Sequence, residues 1–148
     1  MKNHRINALF VFASLVCLMV SATTRGDAAG SFVLVTNASN QLQNMSQAEL
    51  RKVFSGGIKQ WSNGAVVVVG IIPSDAPETS YLSKLLDTTP TDLLRRIQEQ
   101  VFRGEMRRPA VLHSSNECFA FARSNPGALC AAAMPGAAPA GVQIVSMH

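Results

Sequence analysis

Ala65 to Ile72 reads Ala-Val-Val-Val-Val-Gly-Ile-Ile, closed off by Gly64 and Pro73. An unbroken β-branched run favours extended backbone. Because it does not alternate with polar residues, both faces of the strand need cover, as in a parallel or mixed sheet flanked by helices. The preceding segment agrees with that architecture. Ser46, with Glu49 three residues later, makes a capping box that starts a helix. Leu50, Val53 and Phe54 give the helix one apolar stripe, and Gly56-Gly57 end it. A loop with the single tryptophan, Trp61, then leads into the valine run. Such a lone Trp is expected in the core or at its rim.

The remaining elements follow the same alternation. Phe32 to Val35 suits a buried first strand, and Thr36 to Asn44 reads as a loop. Thr79 to Leu86 has helical spacing, with Tyr81, Leu82, Leu85 and Leu86 inward. Thr89-Pro90 starts a third helix, because proline suits the first helical position. Leu93, Leu94, Ile97 and Val101 line it, and Gly104 stops it. Ala110 to Leu112 is a brief strand, and Ser114 or Ser115 caps a helix containing Phe119, Phe121 and Ala122. Ala128 to Ala133 and Val142 to Val145 complete the strands. The expected fold class is α/β: one mixed, mostly parallel sheet with helices on both faces.

Residues 1–29 read as a signal peptide. Lys2, His4 and Arg5 precede an uncharged apolar stretch, Ala8 to Val20, and small residues offer cleavage sites between 22 and 29. The stretch is shorter than the roughly 20 residues of a bilayer span. This predicts export to the periplasm and one domain over 30–148, with no stable membrane span after cleavage. Losing Lys2, Arg5, Arg25 and Asp27 lowers the formal charge from +4 to +2. Nucleic acid is not an expected partner, and Arg95-Arg96 and Arg107-Arg108 read as solvated. Cys118 and Cys130 form a candidate disulfide in an oxidising compartment, the alternative being two reduced, buried thiols. No metal-ligand spacing accompanies the histidines.

The order Met45-Ser46-Gln47-Ala48-Glu49-Leu50-Arg51-Lys52-Val53-Phe54-Ser55-Gly56, then Trp61-Ser62-Asn63-Gly64 and a strand, resembles the periplasmic phosphate-binding proteins of ABC transporters. There, Leu-Ser-x-x-x-Leu-x-x-Ile-Phe-x-Gly precedes Trp-x-x-Gly. The likeness extends from about Val33 to Met134 and implies a single lobe of that fold. It also implies departures. Relatives place an Arg after the valine-like strand and Ser-Gly-Thr at the next helix start; this chain has Ile72 and Pro77-Glu78-Thr79. Pro77 lacks an N–H donor. At an effective dielectric near 20, a like charge about 4 Å from a bound anion costs roughly 4 kcal/mol, close to three powers of ten in affinity. Asn125-Pro126-Gly127-Ala128-Leu129-Cys130-Ala131 keeps the turn and strand of the relatives' Asn-Pro-Gly-Ala-Ile-Gly-Tyr but not its Gly-Tyr.

In open α/β sheets, ligands gather at strand C-termini and helix starts. Three segments qualify: Thr36, Asn37 and Ser39; Ser74, Thr79 and Ser80; and Ser114 and Ser115. The competing reading is that these side chains only cap turns and helices. If the three segments converge, they form one shallow donor-lined pocket for a phosphate-like anion. Two functions stay open: an exported solute-binding-like protein holding a small oxyanion, or a periplasmic interaction module that recognises a protein partner. No cofactor is expected. No Gly-x-Ser-x-Gly, HExxH, P-loop or dinucleotide fingerprint points to an enzyme, and Asp75 and Glu78 read as a solvated turn.

Overall fold

A computed structural model describes residues 31–73 and 75–148. The expected signal peptide and Ser74 lie outside the described residues. Six strands form one sheet: β1 (Phe32–Asn37), β2 (Asn44–Met45), β3 (Val68–Ile71), β4 (Ala110–Val111), β5 (Ala128–Ala133) and β6 (Val142–Met147), in the order β2-β6-β1-β5-β3-β4. The pairs β2–β6, β3–β4 and β3–β5 are parallel, while β1 runs antiparallel to both β5 and β6. The sheet is therefore mixed, with a small parallel majority.

Helices α1 (Gln47–Phe54), α2 (Pro77–Leu85) and α3 (Pro90–Phe102) cover one face, and α4 (Ser115–Ser124) covers the other. Strand alternation sorts the core accordingly. Leu34, Val69, Ile71, Leu129 and Ala131 pack with Leu50, Val53, Leu82, Leu93 and Ile97. Val35, Ile72, Ala128, Cys130 and Ala132 pack with Phe119 and Ala122. Cys118 and Cys130 are bridged, with Cα atoms 6.0 Å apart, tying α4 to β5. Gly70 permits that close approach: a Cβ there would lie 2.6 Å from Leu112 Cδ1 and 3.1 Å from Cys130 Cβ.

The local start signals hold. Ser46 Oγ accepts from the Glu49 N–H while Glu49 accepts from the Ser46 N–H, completing the capping box. Thr89 caps α3 with Pro90 at its first position. Two expectations need correction. The valine strand is shorter than 65–72, because Ala65–Val67 fold back on the Trp61 loop: Trp61 N–H donates to Ala65 C=O and Val67 N–H to Lys59 C=O, each at 2.9 Å. The stretch 36–44 is not all loop. Strand β1 continues to Asn37, a 3-10 turn spans Ala38–Asn40, and Asn44–Met45 pairs with β6. Trp61 is buried, its Nε1 donating to Gly127 C=O at 3.1 Å.

Candidate functional site

Strand direction decides where the predicted site residues fall. Thr36 pairs with Leu129 near the start of β5. Strand β3 runs the other way relative to β1, so its C-terminus lies near the end of β5. Ser115 Oγ accepts from the N–H of Ala133, the last residue of β5. Four residue steps along the strand separate Leu129 from Ala133, about 13 Å. Thr36, Asn37 and Ser39 thus sit at one end of the sheet; Thr79, Ser80, Ser114 and Ser115 sit at the other. The single convergent pocket expected from the sequence is not formed, and the antiparallel β1 is the reason.

At the first end, the polar groups serve the fold. Thr36 is fully buried, donating to Ala128 C=O at 2.7 Å and accepting from Asn40 Nδ2 at 2.7 Å. Asn37 Nδ2 donates to the Ala122 and Arg123 carbonyls at 2.7 and 3.1 Å, satisfying the last turn of α4. Its Oδ1 accepts from the Ser39 N–H at 2.9 Å. The Ser39 side chain remains exposed.

At the second end, α2 begins with Ala76 as an uncapped N-cap and Pro77 at its first position. Buried Thr79 turns its hydroxyl back to Ile72 C=O at 2.6 Å. Glu78 is half-buried rather than solvated: it accepts from Ser115 Oγ at 2.6 Å. A relay of hydrogen bonds thus runs from the Ala133 N–H through the Ser115 hydroxyl to the Glu78 carboxylate. Ser80 is half-buried. Ser114 caps α4 by accepting from the Glu117 N–H at 3.2 Å. Glu117 in turn accepts from the His113 N–H at 2.8 Å, and that backbone bond, with the His113 ring behind it, holds its carboxyl below the usual 4.5.

No protein-family model matches the sequence, and no curated protein matches it either. Solved structures do. An ABC-type phosphate transport receptor from Vibrio cholerae superposes with a TM-score of 0.55 at 16% identity, over 78% of this chain and 45% of that one. PstS from Borrelia burgdorferi superposes with a TM-score of 0.57 at 18% identity, over 80% of this chain and 47% of that one. This chain spans less than half the length of either. Its fold is similar to a part of these two proteins, somewhat less than half of each.

The start of α2 borders one small space. The space bounded by Gly70, Ile72, Glu78, Thr79 and Ala131 amounts to about 10 Å³, at or below what a single water needs. Among the described residues, three larger cavities of about 280, 440 and 600 Å³ lie elsewhere, and none is lined by a described site candidate. Sequence reasoning missed the largest, between α3 and β4, which includes Phe102, Arg108 and Val111. One signal was present. Phe102 follows Val101 directly, so on a helix it turns about 100° away from the stripe of Leu93, Ile97 and Val101.

Proposed function

We propose that this lobe is an exported, non-catalytic binding module whose working contact is a protein partner rather than a free oxyanion. The residues at the start of α2 carry the reading. A proline removes one donor, a carboxylate occupies the approach, and Ser115 holds that carboxylate in place. Export is supported by the Cys118–Cys130 bridge, since such bonds persist in oxidising compartments. It also agrees with the signal-like residues 1–29. Among the described residues no helix is long and apolar enough to cross a membrane.

Likeness to phosphate-binding proteins favours a second reading, a phosphate-like anion held weakly by one of the two sheet ends. Calorimetry with phosphate and sulfate separates the two. The partner reading expects no heat from either anion and no shift in melting temperature at millimolar phosphate. A ligand present at 100 times its Kd stabilises by about 2.7 kcal/mol, which a melt detects easily. Heat at micromolar phosphate overturns the partner reading.

A further inference from the structure

Among the described residues four large apolar side chains are exposed, Val66, Phe102, Val111 and Met134, and the two most exposed lie together. Phe102 is 93% exposed and Val111 71% exposed, and both line the same groove of about 600 Å³. Ile71, Leu94, Ile97 and Val101 form its floor. One exposed apolar side chain is ordinary, but two on the rim of a single apolar groove mark an interaction surface.

Beside the groove lies an open strand edge. Among the described residues, strand β4 is outermost in the sheet and pairs only with β3. Leu112 N–H donates to Ile71 C=O at 2.9 Å. Strand backbone alternates, so Val111 turns its N–H and C=O to the open side. One donor and one acceptor next to an apolar slot suit an extended peptide better than a helix.

Charge narrows the occupant. Arg108 lines the groove, and Arg103 and Arg107, adjacent in sequence to its lining residues, are exposed, Arg107 also bordering the separate cavity beside Glu105. Among the described residues, none of the three is in a salt bridge, and Glu105 is the one carboxylate between them. We infer that the groove takes an extended segment of a partner protein, added as a strand beside β4. Two apolar side chains at i and i+2 fill the slot, and acidic residues lie at the end nearest Arg107 and Arg108. This rests on the partner reading above and assigns it a face of the molecule.

Selection from random displayed peptides, followed by calorimetry with the synthetic winners, tests the assignment. The expected winners carry an apolar-x-apolar core with acidic residues at one end. Val111→Pro removes the outward N–H at a position where an edge strand tolerates proline. It should weaken binding roughly tenfold, about the worth of one hydrogen bond. The Arg107→Glu/Arg108→Glu double variant should weaken it at least as much, with melting temperatures unchanged in both. Absence of a winning motif, winners without acidic residues, or affinities indifferent to both variants each overturn the inference. So does a micromolar dimer that Phe102→Ser dissociates, which gives the groove to a second copy. Phosphate binding sinks the partner reading itself; silent phosphate with failed selection sinks only the groove.

Discussion

Ser115 holds two neighbours at once, the Ala133 N–H at 2.7 Å and the Glu78 carboxylate at 2.6 Å. Replacing it with alanine strands both, and an unsatisfied, partly buried donor costs about 1–3 kcal/mol. Urea unfolding of Ser115→Ala should therefore show a clearly lower midpoint with an unchanged slope; an unmoved midpoint would mean the hydroxyl holds nothing. Gly127 is constrained differently. A Cβ added there would overlap the Val66 carbonyl oxygen, and the Gly127 carbonyl already accepts from Trp61. Gly127→Ala should cost about 2–4 kcal/mol through backbone displacement, read as a lower melting temperature with altered tryptophan fluorescence. Surface carboxylates set the acid response. Glu49 is lowered below 4.5 by the Ser46 backbone N–H and then its hydroxyl, and Glu117 is lowered likewise by His113. Groups lowered in the folded chain stabilise it above their unfolded values and lose that contribution as pH falls through the folded ones. The melting temperature should hold above about pH 5 and decline below it, and Glu117→Gln should flatten that decline. The roles of these residues were only half legible in the sequence. Ser46 and Ser114 act on backbone three residues away, which spacing reveals. Thr36 and Asn37 act on carbonyls 92 and 85 residues distant, which it cannot.

Elements with local causes were the readable ones. The Ser46–Glu49 box and the Thr89-Pro90 start lie within four residues of chain, and both helices begin where those residues place them. Ser46→Ala should cost about 1 kcal/mol, the usual worth of an N-cap. A hydrogen-exchange measurement would show the loss concentrated in the first turn of α1. The valine strand was read four residues too long, three of them at its start, because β propensity does not record that Lys59–Trp61 turns back to claim Ala65 and Val67. Strand β2 was missed since two residues give no periodicity; it forms only because β6 passes alongside. The Cys118–Cys130 bridge closes a short loop of sequence separation 12. Loop entropy alone gives it about 3 kcal/mol, or roughly 10 °C in a domain of this size. Melts with and without reductant should differ by that order. A negligible difference would mean that α4 is held on β5 by packing of Phe119 and Ala122 alone.

At the scale of the whole molecule, the direction of β1 matters more than any single side chain. Continuous hydrophobicity predicted a mixed sheet covered on both faces, and alternating elements predicted its layers. Neither contains the pairing of Phe32 with Ala133 and Thr36 with Leu129, which reverses β1 against β5. That reversal sends Thr36, Asn37 and Ser39 to one end while Thr79 and Ser115 stay at the other, so similar hydroxyls that look like one pocket in sequence become two separate structural sets. The separation can be measured without a ligand. Thr36→Val removes a buried donor to Ala128 C=O and the acceptor for Asn40; Ser115→Ala removes its own pair of bonds about 13 Å along β5. Sites more than about 10 Å apart with no shared partners add to within roughly 0.5 kcal/mol. The double variant should therefore lose the sum of the two single losses, in phosphate buffer as in buffers free of oxyanions. A coupling well above that limit that appears only with phosphate would mean that one bound anion reaches both ends. The lobe would then have to rearrange β1 to hold it.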